Sequence, residues 1–148
     1  MRKHNAQEWY ATQRRPWWAP PAWLFGPVWT VLYAIIFVSF GTVFYKVAAG
    51  DLALAVAVPF ALNLVFNAAF SPIQFRLRSN VLASIDVLLV LLTLVWALGS
   101  IYLTSLVQHI STGGSDLLWI ALVNIPYLVW VCFASVLQLS VTYYNRAA

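Results

Sequence analysis

Four long stretches of almost uninterrupted apolar residues, approximately 22–45, 52–75, 81–107 and 117–144, alternate with short polar segments along the chain. A helix needs about 20 mostly apolar residues to cross the hydrocarbon core of a bilayer, so each stretch predicts one membrane-spanning helix. The third and fourth exceed that length, which predicts tilt or extension beyond the bilayer. The connections are short: 46–51 contains Gly50, 108–116 contains Gly113-Gly114, and 76–80 separates the second span from the third. Ahead of the first span, residues 1–21 are basic, aromatic and proline-rich. Pro16, Pro20 and Pro21 lack backbone donors and bias the residues before them towards extended conformations, so the first helix is expected to begin only after Pro21. Trp and Tyr favour the bilayer interface and Arg14 and Arg15 the headgroup level, which makes 1–21 an ordered, non-helical interfacial lid.

Polar residues within the spans recur at helical spacing and mark the faces that must meet, because lipid cannot satisfy them. Asn63, Asn67, Phe70 and Gln74 share one face of the second span, and Asp86, Val90, Thr93, Ala97 and Ser100 one face of the third. Tyr127, Trp130, Ala134 and Gln138 line the fourth, and Trp29, Tyr33, Phe37, Phe40 and Phe44 are expected to do the same for the first. The expected interior is walled by aromatic rings and dotted with amides.

Composition narrows the class. At 63% hydrophobic and 8% charged, the 148 residues form one integral membrane domain of the all-α class, a four-helix transmembrane bundle. The net charge of +4 comes from basic residues at segment ends and needs no nucleic-acid partner. When the spans alternate across the bilayer, Arg2, Lys3, Arg14, Arg15, Arg76, Arg78 and Arg146 fall on one side and only Lys46 on the other, which places both termini in the cytoplasm. The single Cys132 excludes an intrachain disulfide and a thiolate metal cluster. His4, His109 and Met1 all lie outside the middle of a span, so no side chain is placed to ligate haem iron in the usual His or Met manner, and no metal site is expected.

The run Trp9-Tyr10, Arg15-Pro16, Trp18, Pro20-Pro21, Trp23, Gly26-Pro27, Trp29 and Leu32-Tyr33 resembles the signature of the translocator protein family, also called TspO or tryptophan-rich sensory protein and known as the peripheral-type benzodiazepine receptor. Three further blocks follow in order: Asn67 to Phe75 (NAAFSPIQF), Asp86 to Val90 (DVLLV) and Pro126 to Ala134 (PYLVWVCFA). The resemblance covers roughly Trp9 to Asn145. It implies helices 2–5 of a five-helix fold, since the family's lid normally follows a first helix and here begins at Trp9. The absence of that helix would leave the pocket open on one side. The resemblance further implies a membrane-embedded binding protein, transporter or sensor for porphyrins, with sterols and synthetic isoquinoline or benzodiazepine compounds as further ligands. It implies a homodimer, in a bacterial membrane or, for a eukaryotic chain, the outer mitochondrial membrane. Protoporphyrin IX or haem would be a ligand rather than a required cofactor.

Residue by residue, Trp29 and Trp130 match tryptophans of the family's ligand pocket, with Trp23, Tyr33, Phe70, Tyr127 and Ala134 beside them. Arg14 and Arg15 at the lid would meet porphyrin propionates. An enzymatic version has Trp29 and Trp130 assisting light-dependent porphyrin breakdown. Each residue also has a plainer reading: the rings pack helices or anchor the interface. Asn67 either hydrogen-bonds a ligand or clamps two helices. Asp86 is an intramembrane acid, hence a functional candidate, or else caps a helix or pairs near Arg78 and Asn80. Val141, Tyr143 and Arg146 fit a sterol-contact pattern that equally describes an interface anchor. Ala53, Ala57 and Ala61 offer a close-packing face for a dimer or for the monomer itself. Phe70 and Leu82 stand where the family commonly has Trp, and Gln138 where it has Asn. Two other classes compete, a small proton-coupled multidrug exporter using Asp86 and a ligand-free membrane scaffold.

Overall fold

The computed structural model describes residues 13–73, 77 and 79–145, and all regular structure among them is helical. A 3-10 turn, Ala22–Leu24, leads into α1 (Phe25–Ala48), followed by α2 (Leu54–Ser71), α3 (Asn80–Thr112), α4 (Leu118–Val123) and α5 (Ile125–Tyr144). Three helical segments, Phe25–Ala48, Asn80–Thr112 and Leu118–Tyr144, are long and apolar enough to cross a membrane. The apolar α2 has 18 residues, about 27 Å at 1.5 Å per residue, and is the short member of the bundle.

The element boundaries follow local chemistry. Regular helix starts at Phe25, four residues beyond Pro21, and Pro27 sits in the first turn, where its missing donor removes no hydrogen bond. Ser79 caps α3, its Oγ accepting from the Leu82 N–H at 3.2 Å. The same helix runs to Thr112, five residues beyond the expected limit of 107, and ends where Gly113 takes the left-handed region (φ 82°) with its N–H on the His109 carbonyl. The last span differs most from expectation. It is two helices meeting at Asn124, because Pro126 cannot donate to the preceding turn and Asn124 turns its side chain inwards. The Asn124 Nδ2 donates to the Ile120 carbonyl at 2.7 Å and to Ser39 Oγ of α1 at 2.9 Å. That break ties the fourth span to the first.

α3 is the central post. Half of its most apolar stretch is buried inside the bundle, against 28% for α1 and 33% for the α4–α5 segment. It packs on α2 along one side and on α5 along the other. The core is built from Phe40, Phe60, Leu94, Ile101, Ile120 and Tyr127, all fully buried, with the Phe40 and Phe60 rings perpendicular at 4.8 Å. In α1 the buried stripe is Leu32, Ile36, Ser39, Phe40 and Val43. This corrects the expected stripe: Phe40 points in, whereas Tyr33 is 54% and Phe37 82% exposed. The strict aromatic spacing drifts around the helix, and the buried positions fall to Leu32, Ile36, Ser39 and Val43 beside Phe40.

The two ends of the bundle are distinct. At one, Gln13 of the lid accepts from the Asn80 side chain at 3.1 Å, and Asn145 clamps Arg14 with two hydrogen bonds. At the other, Lys46 pairs with Asp116 at 3.1 Å. Lid, start of α3 and end of α5 therefore share one end, as alternating spans require.

Candidate functional site

Beneath the lid, aromatic side chains form two connected tiers. In the upper tier Trp18 meets Phe133 edge-on at 5.6 Å, Phe133 lies 5.5 Å from Trp130, and Trp130 meets Phe25 edge-on at 5.8 Å. In the lower tier Trp29 lies 5.4 Å from Tyr33 and 6.4 Å from Tyr127, which in turn lies 6.4 Å from Phe40. Phe25 and Trp29 are one turn apart on α1, and Tyr127 and Trp130 one turn apart on α5, so the tiers are stacked along the same two helices. Trp18, Ala19 and Phe25 pack with Phe133 on Leu137 and Val141, which seats the lid on the C-terminal half of α5.

A polar column runs beside these rings. Asn63 donates to the Val90 carbonyl (2.9 Å) and Thr93 Oγ1 (3.2 Å) of α3. Its Oδ1 accepts from the Tyr127 hydroxyl at 2.8 Å, and that hydroxyl accepts from Asn67 Nδ2 at 2.8 Å. The phenol thereby joins α5 to α2, and the Asn63 amide carries the link on to α3. In this structure Asn67 does act as an interhelical clamp. Nearer the lid, Ser84 and Thr142 hydroxyls lie 2.6 Å apart, and Thr142 donates to the Asn80 carbonyl at 3.0 Å, closing α3 against α5.

Among the described residues, three buried side-chain atoms have no hydrogen-bond partner: Trp130 Nε1, Asp86 Oδ2 and Asn124 Oδ1. Buried polar atoms are almost always satisfied, so such orphans call for an explanation. Asp86, only 4% exposed, neither caps α3, a role Ser79 takes, nor forms an ion pair among the described residues. The capping reading of Asp86 is thus not what the structure shows, and Arg78, the partner named for pairing, lies outside the described residues.

An open cavity of about 670 Å³ lies elsewhere, on the outer side of α1 against α2, lined by Tyr33, Phe37, Phe40, Gly41, Phe44 and Leu64. Tyr33 and Phe40 belong both to this groove and to the lower aromatic tier. Of the other residues singled out by sequence, Phe70 and Ala134 are half-buried and Trp23 is 64% exposed at the 3-10 turn. Arg14 is exposed and Arg15 half-buried on the lid. Val141 is buried under the lid, Tyr143 is exposed beside Tyr144, and Arg146 lies outside the described residues, as do Trp9, Tyr10 and Gln74. Ala57 is buried, while Ala53 and Ala61 are exposed. Sequence reasoning missed Phe25 and Phe133 as walls, Asn145 as the lid clamp and Asn124 as the break. Only the last had a clear signal, an Asn two residues before Pro126 inside an apolar run.

Fold and site together define a class: a small helical integral membrane protein with an aromatic column under a proline-rich lid. The model of the TspO/MBR family matches residues 1–144, and the chain belongs to that family. It is 33% identical over 139 residues to the uncharacterized membrane protein YtaB of Bacillus subtilis, covering 94% of this chain and 81% of that one. It is also 33% identical over 146 residues to the tryptophan-rich protein TspO of Chlorobaculum tepidum (95% and 81% covered). With the human translocator protein the identity is 31% over 134 residues (88% and 70% covered).

Proposed function

We propose that the protein is a membrane-embedded binding protein for flat, apolar tetrapyrroles of the porphyrin type, with sterols as a second ligand class, acting in their transport or sensing. The observation that carries this reading is Trp130: its indole N–H is buried, without a partner, within a tier of rings roofed by the lid. Leaving a buried donor unmade costs about 1–3 kcal/mol, so the site is built for an acceptor that arrives with a ligand. A porphyrin offers such acceptors and broad faces for Trp29, Tyr33 and Tyr127. Arg14 and Arg15 stand at the lid, where propionates would emerge, and the 670 Å³ groove falls within the usual range of ligand sites and supplies a path from lipid. A homodimer with both termini cytoplasmic completes the reading.

Titration of the detergent-purified protein with protoporphyrin IX, read by tryptophan quenching, is the test. Saturable binding is expected, weakened about tenfold by Trp130→Phe and several-fold by Trp29→Phe, because phenylalanine keeps the ring and removes the indole donor. Absence of saturable binding, or equal affinity in both variants, would overturn it.

A further inference from the structure

We infer that the groove on the outer side of α1 is a seat for a sterol, a rigid fused-ring lipid with a single uncharged hydroxyl head. The seat rests on the reading that sterols are a second ligand class, and it gives them a place outside the lid-roofed tier of Trp130. The groove encloses about 670 Å³, with Tyr33, Phe37, Gly41, Phe44 and Tyr45 of α1 along its floor and Leu64 of α2 at its edge. Rings recur there about one turn apart around a stretch of bare backbone, since a Cβ built on Gly41 meets nothing within 4 Å. Ring faces beside a glycine make a flat, stiff surface. A planar ring system covers it with little loss of freedom, whereas a flexible acyl chain must give up its rotamers to do so.

Depth and charge narrow the occupant further. From Tyr33 to Tyr45 the groove follows twelve residue steps of helix, about 18 Å at 1.5 Å per residue. α1 has 24 residues and its midpoint falls near Ile36, so the groove runs from close to one membrane surface to just past the bilayer midplane. That is the depth of one leaflet of a hydrocarbon core about 30 Å thick, which a sterol fills from hydroxyl to tail. At the surface end Tyr45, 72% exposed, brings a phenol hydroxyl to the interface, where tyrosine is favoured. The adjacent cation, Lys46, is taken by Asp116 at 3.1 Å, and the exposed Asp51 follows in the next turn. A phosphate head would meet a cation already neutralised and a carboxylate that repels it, whereas a hydroxyl head exchanges a hydrogen bond with Tyr45.

Photoaffinity labelling tests the seat. The protein is reconstituted in phosphatidylcholine nanodiscs with a cholesterol analogue carrying a diazirine on ring B, irradiated, and the labelled positions are located by mass spectrometry. Label is expected on residues 33–45 and at Leu64 at least about fivefold above the other lipid-facing surfaces, and excess cholesterol but not cholesteryl acetate should suppress it. Gly41→Leu fills the floor and should lower the α1 label at least about fivefold. Gly99→Leu is the matched control, an exposed glycine of α3 where a Cβ likewise meets nothing, and should leave the α1 label unchanged. Helical circular dichroism checks each fold; should Gly41→Leu fail to fold, Phe37→Ala, which strips an 82%-exposed ring from the floor, is expected to lower the label in its place. Label spread evenly over the lipid-facing surfaces, as when phospholipid fills the groove, or α1 label that survives these substitutions, would overturn the assignment. Label concentrated elsewhere and suppressed by cholesterol removes this seat but keeps sterols as a ligand class, and absence of any suppressible label removes both. Protoporphyrin IX titrated in parallel reports the porphyrin reading separately.

Discussion

Tyr127→Ala is expected to lower the stability of the protein by about 3–5 kcal/mol, the range for truncating a fully buried aromatic side chain. Tyr127 is 0% exposed, its ring touches Trp29 and Phe40, and its hydroxyl joins Asn63 to Asn67. Alanine leaves a void between α1 and α5 and strands both amides. Tyr127→Phe keeps the ring and removes only the hydroxyl, and a loss of about 1 kcal/mol is expected, the scale of one interhelical hydrogen bond in a membrane. Reversible unfolding in mixed micelles with increasing dodecyl sulfate measures both. A loss for Tyr127→Ala no greater than that for Tyr127→Phe would mean that the ring is not a packing element.

Asn63→Leu is expected to cost about 2 kcal/mol, chiefly because the Tyr127 hydroxyl would lose its buried acceptor and Thr93 its donor. The size of the residue is preserved, so little of the effect is a cavity. In the Tyr127→Phe background the same substitution should cost only about half as much, since no phenol is left to orphan. Simple additivity of the two changes would contradict the column as drawn. Polar residues of this kind hold a bundle in register where lipid removes the hydrophobic drive between helices.

The all-helical fold, the start of the first helix beyond Pro21 and much of the inward stripes of the second, third and fourth spans were legible because length, proline placement and 3.6-residue periodicity act locally. Asn63, Asp86, Val90, Thr93, Ala97, Tyr127 and Gln138 are all buried, as their spacing requires. The first span was misread. In a bilayer an aromatic residue facing lipid costs nothing, so Tyr33 and Phe37 carry no sign of which way they point, whereas an amide or acid does. The break at Asn124 did carry a signal, an Asn two residues before Pro126, which the length of the apolar run around it outweighed. Whether Asn67 clamps helices or meets a ligand was undecidable from spacing, and the clamp emerged only when Tyr127 was seen to accept from it. The orphaned Trp130 Nε1 and Asp86 Oδ2 were invisible for the same reason, since a missing partner is a property of three-dimensional packing alone.

The central claim is that the Trp130 indole N–H receives an acceptor from a bound porphyrin. The most direct measurement is nuclear magnetic resonance of protein carrying ¹⁵N-labelled tryptophan, in which the eight indole N–H signals are resolved and Trp130 is assigned by its loss in Trp130→Phe. On saturation with protoporphyrin IX, the Trp130 signal should shift more than that of the 95%-exposed Trp17 and show intermolecular contacts to porphyrin protons. Saturable porphyrin binding that leaves the Trp130 signal in place, with no contact to the ligand, would contradict it.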